Sequence, residues 1–226
     1  MDTRTKMKDM ETCVQYTARD IHVSENHLHL YFSSQYAPEG YLWIFPKGDG
    51  LANVGLGISG RAARQKSPLA YLNEFMQERF PDAAMLTSVA GGVPCDKTLD
   101  QIVGDGFLLV GDAAHQVNPI TGGGIVPALV AGKIAGEIAG LAITKGDVSA
   151  KALQDYPKRW HKAEGKNHQI FYKLKEYIYK LTDDELEDIA NVGLSVPLEK
   201  RTMLTLFRAA LVKKPSLILD AIKVFA

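Results

Sequence analysis

The stretch "GFLLVGDAAHQVNPITGGGIVPALVAGKIAGEIA" (106–139) constrains the fold of this chain more than any other. An apolar run predicts a buried strand that ends at Gly111 and Asp112, and three glycines (122–124) precede an apolar helix expected from about residue 124 to 141. Asp offers acceptors suited to sugar hydroxyls, and N–H groups at a helix N-terminus stabilise negative charge. An ordinary capped turn explains either half alone, but both together favour a ligand site. Because the helix has little polar face, we expect it to be buried.

A second glycine motif, "GLGISG" (55–60), matches the dinucleotide fingerprint GxGxxG but stands in the wrong surroundings. The fingerprint needs a parallel strand before it and a helix of several turns after it. Only residues 61–66 separate it from Ser67-Pro68, which predicts the start of a new helix, and the preceding strand forms a hairpin with "YLWIFP". We therefore interpret these glycines as sheet residues that leave room for close approach.

The remaining pattern predicts an α+β fold. Alternation of apolar and polar residues from Cys13 to Ile58 predicts an antiparallel meander, and "AMLTSVAGGVPC" predicts a strand and a turn. After residue 146 the periodicity becomes helical, with kinks or breaks expected at Pro157 and Gly165. The pattern divides the chain into an antiparallel-sheet region (1–97), a strand-and-helix region (98–145) and a C-terminal helical region (146–226).

Two further predictions concern the C-terminal helices. Thr182 to Glu185 has the sequence of a capping box and predicts a short helix, and Leu198 to Ala226 predicts two more, parted by Pro215. This last segment carries six basic residues against two acidic ones. Such a segment either packs with its cations in water or lies on an anionic membrane, and the sequence leaves both alternatives open.

Composition excludes several classes of function. The 226 residues contain 26 Lys and Arg and 26 Asp and Glu, so no overall charge favours nucleic acid. Two cysteines, Cys13 and Cys95, are too few for a secreted disulfide framework, and no apolar span opens the chain. The histidines form no metal-ligand spacing. We expect a cytoplasmic protein with no metal, no spanning helix and no nucleic-acid partner.

The residues "GFLLVGDAAHQVNPITGGGI" resemble the second flavin-binding motif of FAD-dependent oxidoreductases of the para-hydroxybenzoate hydroxylase superfamily. The residues "GYLWIFPKGDGLANVGLGI" are similar to the signature of the geranylgeranyl reductase family. The resemblance extends from about Gly40 to Gly140 and is weaker in the helical tail. It implies FAD as cofactor and an isoprenoid lipid as substrate.

The resemblance also implies roles for individual residues. Asp112, after Gly111, binds the ribityl or pyrophosphate region of FAD, and the backbone from Gly122 through Gly123 and Gly124 to Ile125 faces the flavin pyrimidine edge, with Pro119 fixing the approach of the chain. Tyr41, Trp43 and Phe45, with Gly55 and Gly57, line a slot for the isoprenoid chain; without the resemblance, an ordinary buried sheet face explains the same aromatic residues. His115 is the candidate proton donor, against the alternative that it only shapes its loop. Cys95 is either near the flavin or a small buried residue.

Members of this family open with a strand, a true GxGxxG and an acidic residue, none of which stands here. We therefore expect a C-terminal part whose N-terminal FAD half is a missing segment or a separate chain. The implied function is FAD-dependent saturation of geranylgeranyl chains in archaeal-type membrane ether lipids, on or near the inner membrane face. Alternatives are a flavin monooxygenase or halogenase of the same superfamily, chlorophyll side-chain reduction, and a non-catalytic lipid-binding fragment.

Overall fold

The computed structural model describes residues 3–202, 205 and 209 and has an antiparallel sheet as its largest feature. Five strands form this sheet in the order β2-β3-β4-β1-β5. Their bounds are β1 Met10–Arg19, β2 His29–Tyr31, β3 Tyr41–Gly48, β4 Leu51–Ser59 and β5 Ala84–Pro94. The predicted α+β class is confirmed.

The strand pairing agrees with the predicted meander only in part. β2, β3 and β4 are sequential antiparallel neighbours, and the turn after Lys47 joins β3 to β4 as expected. The first strand departs from the prediction, because β1 pairs with β4 and β5 and has no pairing with β2. Alternation in a sequence identifies strands but does not choose their partners, which depend on burial across the whole sheet.

One face of the sheet forms the main core. Most even-numbered residues of β3 and β4 are buried, and Leu42, Ile44 and Leu56 have no exposed surface. Helix α1 (Pro68–Arg79) covers this face and contributes Leu72 and Phe75. Its start is as predicted: Pro68 is the first helical residue, and the side chain of Ser67 accepts a hydrogen bond from the backbone N–H of Ala70 at 3.2 Å.

The segment after β5 contains the glycine-rich motif of residues 106–139. A short hairpin of β6 (Val103–Gly104) and β7 (Phe107–Leu108) leads to a 3₁₀ turn at Gly111–Ala114, and helix α2 follows at Ile125–Lys145. The predicted buried strand is wrong: β7 has two residues, and Phe107 is 43% exposed. Within the described residues β7 pairs only with β6, so nothing covers its other edge.

Helix α2 is also less buried than predicted. Its inner residues, among them Ile134 and Ile138, join a second core, but Ile125, Leu129 and Ile143 on other faces are 69–80% exposed. Among the described residues it is the one helix that meets the length and composition required to cross a membrane. That property is weak evidence by itself, since apolar core helices share it.

The C-terminal helices complete the second core. Helix α3 (Asp155–Trp160) continues through a π-helical turn (His161–Gly165) into α4 (Lys166–Ile178), so that the predicted break at Gly165 is a π-helical turn in one continuous helical segment. Helix α5 (Asp183–Ser195) begins at Thr182 with the predicted capping box. The helices predicted between Leu198 and Ala226 fall mostly outside the described residues. The three domain boundaries stay predictions.

Candidate functional site

The turn that carries Asp112 is held by a buried side chain. Gly111 and His115 have φ angles of 62° and 54°, in the left-handed region that only glycine adopts without strain. The buried amide of Gln116 accepts a hydrogen bond from the N–H of Gly111 at 2.8 Å and donates one to the hydroxyl of Tyr156 at 2.9 Å. Helix α3 thereby fixes the turn, and Asp112 is left exposed to solvent.

The carboxylate of Asp112 lies beside the N-terminus of α2. A Cβ atom built on Gly124 would stand 3.1 Å from its Oδ1. Gly124 is the N-cap residue and supplies no capping side chain, so the first N–H groups of the helix are left for other partners. Because Gly124 has no side chain, the exposed carboxylate of Asp112 can lie close to the exposed N–H groups of the first turn of α2. These residues fit the ribityl and phosphate groups of a flavin nucleotide.

The glycine loop before α2 is held in shape by Asn118. Its side-chain oxygen accepts hydrogen bonds from the N–H groups of Ile120 at 3.0 Å and Thr121 at 3.2 Å. Its backbone exchanges bonds with Gly122 and Gly123, and Gly122 has a φ of 66°. Pro119, at the bend, is buried. The loop is therefore organised without a ligand.

One hydrogen bond joins this loop to the sheet. The hydroxyl of Tyr41 donates to the backbone carbonyl of Thr121 at 2.6 Å. Tyr41 is the first residue of β3, and Trp43 and Phe45 follow it on the same face. Ring centroids are 5.7 Å apart between Tyr41 and Trp43 and 6.0 Å apart between Trp43 and Phe45. We call these three residues the aromatic strip.

The aromatic strip lies on the sheet face opposite the core. All three rings are half-buried, whereas Leu42 and Ile44 between them are fully buried. The indole of Trp43 donates to the side-chain oxygen of Gln15 on β1 at 2.9 Å. The core therefore does not account for the strip, which forms part of an open apolar surface that begins at the glycine loop.

Gly55 and Gly57 make room for this strip. A Cβ atom on Gly55 would stand 2.6 Å from the Trp43 ring, and one on Gly57 would stand 2.9 Å from the Cys13 sulfur. Both glycines are in β4, which is antiparallel to its two neighbours, so they are sheet residues as predicted and have no role in a dinucleotide fingerprint.

His115 is buried beside the Asp112 turn. It is 4% exposed, and its Nε2 lies 3.0 Å from the hydroxyl of Thr5. Its Nδ1 has no partner among the described residues. A second buried histidine, His168 of α4, hydrogen bonds the carbonyl of Val117 at 2.8 Å, and burial lowers the pKa of His168. The catalytic role of His115 stays a prediction, as do the other site assignments.

Sequence reasoning missed a buried charge cluster at the start of β1. The Lys175 ammonium of α4 lies 3.0 Å from Asp9 and donates to the carbonyl of Cys95 at 2.6 Å. Glu11 is 8% exposed and accepts a hydrogen bond from the hydroxyl of Tyr179. These residues are up to 170 positions apart in sequence. The one local signal is an acidic residue inside a strand, which is equally typical of a solvent-facing position.

Burial determines the titration of the groups around this cluster. Removal from water raises the pKa of Glu11 to about 7, and the Tyr179 hydrogen bond and the Lys175 charge only partly oppose that effect. Burial also raises the pKa of the Cys13 thiol to about 11 and raises the pKa of Cys95, which is 1% exposed. Both thiols are therefore protonated at neutral pH. Cys95 is a small buried residue, and its nearness to the flavin stays a prediction.

Comparison with known proteins confirms the resemblance seen in the sequence. Residues 9–93 match the geranylgeranyl reductase catalytic domain family. The chain is 41% identical over 222 residues to the digeranylgeranylglycerophospholipid reductase of Methanocella arvoryzae, covering 98% of this chain and 57% of that protein. It is 40% identical to the reductase of the same name from Methanosarcina mazei, over 97% and 55% of the two chains. The chain thus spans little more than half the length of these relatives.

Solved structures agree with the similarity to geranylgeranyl reductases. A geranylgeranyl bacteriochlorophyll reductase-like protein from Thermoplasma acidophilum superposes with a TM-score of 0.91 at 29% identity, over 99% of this chain and 57% of its own. A flavin-dependent brominase superposes with a TM-score of 0.60 at 17% identity, over 77% of this chain and 46% of its own. The second likeness concerns the fold alone.

We predict that Gly55→Ala destabilises the protein by about 1–3 kcal/mol, because the added methyl group collides with the Trp43 ring and with the backbone of β1. Gly91→Ala, in β5 of the same sheet, is the matched control, since nothing lies within 4 Å of a Cβ atom there. Urea denaturation followed by tryptophan fluorescence measures both. Equal stabilities of the two variants would contradict the packing described for the strip.

We also predict a pH-dependent stability difference between Glu11→Gln and the unsubstituted chain. The pKa of Glu11 is raised from its ordinary 4.5 to about 7, so folding favours its protonated form. The Glu11 carboxyl therefore costs nothing below pH 4.5 and progressively lowers the free energy of unfolding as pH rises through 7. We expect Glu11→Gln to be more stable by up to about 3 kcal/mol at pH 8 and indistinguishable at pH 4.5.

Chemical denaturation at both pH values measures this difference, and Glu187→Gln at an exposed position of α5 controls for loss of a surface charge. A difference that does not change with pH would show that Glu11 is not desolvated.

Proposed function

We propose that this homologue of the digeranylgeranylglycerophospholipid reductases, with its geranylgeranyl reductase catalytic domain, saturates isoprenoid double bonds of archaeal-type membrane ether lipids, with FAD as cofactor. The observation that carries the proposal is the hydrogen bond from Tyr41 to Thr121. It joins the aromatic strip to the glycine loop at the N-terminus of α2. An apolar chain on the strip would therefore end beside a flavin held at that loop.

The cofactor part of the proposal rests on residues 111–125. The exposed carboxylate of Asp112 would accept hydrogen bonds from sugar hydroxyls of the cofactor, and the uncapped N–H groups from Gly124 onward would stabilise negative charge on its ring system. When bound, FAD supplies hydride to the alkene. This chain holds the cofactor, positions the alkene and keeps water out of the slot.

The substrate part rests on the aromatic strip. Half-buried rings on the open sheet face provide an apolar surface about three residues long, and the missing side chains of Gly55 and Gly57 deepen it. Such a surface suits a flexible hydrocarbon chain, which offers no polar group for recognition. Because the substrate class is a membrane lipid, the proposal includes a cytoplasmic location in contact with the inner membrane face.

A further segment is needed to complete the FAD site, and the structure offers a surface for it. A groove of about 320 Å³ runs along α2 beside Phe107 and Val110, where Gly132 and Gly136 expose the helix backbone. Apolar side chains such as Ile143 flank it. We propose that the flavin segment of the reductase packs on this face, in agreement with the chain's span of 57% of a relative.

The alternatives have less support. The likeness to a flavin-dependent brominase is one of fold, whereas the reductase relatives are about 40% identical to this chain over nearly its whole length. A non-catalytic lipid-binding role would leave Asp112 and the uncapped helix start without a ligand. Loss of double bonds from a geranylgeranyl lipid, assayed with the FAD site complete, separates these cases, because neither a halogenase nor a non-catalytic fragment saturates the lipid.

We predict that the 226-residue chain alone binds FAD weakly or not at all. The Methanosarcina mazei reductase has a segment that this chain does not match, and we expect a chimera of that segment with this chain to bind FAD tightly. In the chimera, Asp112→Ala should weaken FAD binding about ten- to a hundredfold, since it removes a charge-assisted acceptor. Asp112→Asn keeps one acceptor oxygen and should fall between the two.

Flavin fluorescence titration provides these dissociation constants. Normal FAD binding by both Asp112 variants, together with a lowered melting temperature, would mean that Asp112 only caps its turn.

We predict that Trp43→Ala in the chimera raises KM for a geranylgeranyl lipid about tenfold or more and leaves the Kd of FAD unchanged, because the ring is assigned to the slot. The other tryptophan is the contrast: Trp160 is 2% exposed in the second core, so Trp160→Ala should cost about 3–5 kcal/mol of stability. Unchanged lipid kinetics in Trp43→Ala, with a stability loss as large as that of Trp160→Ala, would favour a purely structural strip.

A further inference from the structure

We propose that Glu11 donates the proton that the saturated carbon receives, a role that rests on the proposed reductase function. The proposal starts from the register of the sheet. On the open face, successive rows are Thr17 with Phe45, Gln15 with Trp43, and Cys13 with Tyr41. Glu11 occupies the next row, opposite Ser59.

This row lies at the glycine-loop end of the aromatic strip. Same-face residues two apart on a strand are separated by roughly 6.6–7 Å, so Glu11 is one such step beyond Cys13. Tyr41, in the row of Cys13, contacts the loop through Thr121. Burial raises the pKa of Tyr41, and the negative charge of Glu11 adds to that effect. Glu11 is therefore close to the place where the alkene would meet the flavin.

The two carboxyl oxygens of Glu11 have different surroundings. Oε1 accepts the hydroxyl of Tyr179, whereas Oε2 is buried and has no hydrogen-bond partner among the described residues. A buried polar atom without a partner is costly, and the cost is least when the carboxyl is protonated. A proton on Oε2 would be shielded from water and bound to no other residue, as donation to a hydrocarbon requires.

The neighbours of Glu11 keep this proton available near neutral pH. Desolvation raises its pKa to about 7, close to the optimum for an acid that works near that pH. The titratable groups that face it come from every element around it: Tyr179 and Lys175 from the C-terminal helical segment, Asp9 from the turn before β1, and Glu39 from the loop before β3. Cys13 and Cys95 complete the surroundings, with thiols that stay protonated.

Saturation of one double bond requires one proton and one hydride. The π electrons of the alkene take the proton of Glu11 and form one C–H bond, while the other carbon receives hydride, for which reduced flavin is the two-electron donor. Glu11 is left as a carboxylate, stabilised by the Tyr179 hydroxyl and by the charge of Lys175, and takes up a new proton from solvent once the product has left and water enters the slot. His115, the candidate from the sequence, is instead bound to Thr5 beside the Asp112 turn.

The test uses the chimera described above, reduced anaerobically and supplied with a geranylgeranyl lipid. We expect Glu11→Gln to lower kcat at least a hundredfold and leave the Kd of FAD within about twofold of the unsubstituted value. Glu176→Gln is the matched control, since it makes the same change on α4 at a carboxylate that is 41% exposed and paired with Lys8. Its kcat should not change.

A pH profile separates proton donation from a structural role. Activity should fall as pH rises through about 7, where Glu11 loses its proton. Tyr179→Phe removes a hydrogen bond that lowers the pKa of Glu11, so the descending limb should move to higher pH. In the 226-residue chain without flavin, ¹³C NMR of the carboxyl carbons should show a resonance that titrates near pH 7 and is lost in Glu11→Gln.

The outcomes that overturn the proposal are distinct from failure of the proposed function. Lipid saturation that persists in Glu11→Gln would show that Glu11 takes no part in the reaction, as would a descending limb of the pH profile that does not move in Tyr179→Phe. Neither result would contradict the proposed reductase function. No saturation by the unsubstituted chimera would overturn both. If Glu11→Gln does not fold, the Tyr179→Phe profile and the NMR titration decide.

Discussion

The ion pair between Lys175 and Asp9 holds together parts of the chain that no secondary structure connects. Its ammonium group also binds the carbonyl of Cys95, so one side chain of α4 fixes the start of β1 and the residue after β5. Both charged side chains are 1% exposed. Removing one partner of such a buried pair costs about 3–5 kcal/mol, because the other charge is left without compensation. The position of α4 beside the start of β1, and with it the surroundings of Glu11, depends on this contact.

The two faces of the sheet differ: one packs in the main core, and the other carries the aromatic strip. Even-numbered residues of β3 and β4 pack against α1 and exclude water completely, which fixes the register of the strands. The odd-numbered residues of β3 from Tyr41 to Phe45 are half-buried and form the aromatic strip. Because a one-residue slip would exchange the faces, the core that stabilises the sheet also sets the rows that align Glu11, Cys13 and Tyr41 with the glycine loop.

Helix α2, in contrast, is an apolar helix that is only partly covered by the described residues. Its composition is that of a buried helix, yet Ile125, Leu129 and Ile143 face solvent among the described residues. Exposed apolar surface of this extent typically marks a contact with another segment. The Asp112 turn at its start is nevertheless well formed, since Gln116 and Tyr156 hold it from inside the chain. The turn that carries Asp112 is therefore held by contacts within this chain.

Local patterns in the sequence determined the α+β class, the hairpin of β3 and β4, the caps at Ser67 and Thr182, and the meeting of Asp112 with the glycine loop. Each depends on neighbours within about twenty residues, where alternation, capping and turn chemistry act directly. The pairing of β1, the exposure of α2 and the cluster of Glu11, Lys175 and Tyr179 were decided only by the tertiary structure. They join segments up to 170 residues apart, and desolvation, which sets the chemistry of Glu11, is a property of what packs around a group and not of its neighbours in sequence.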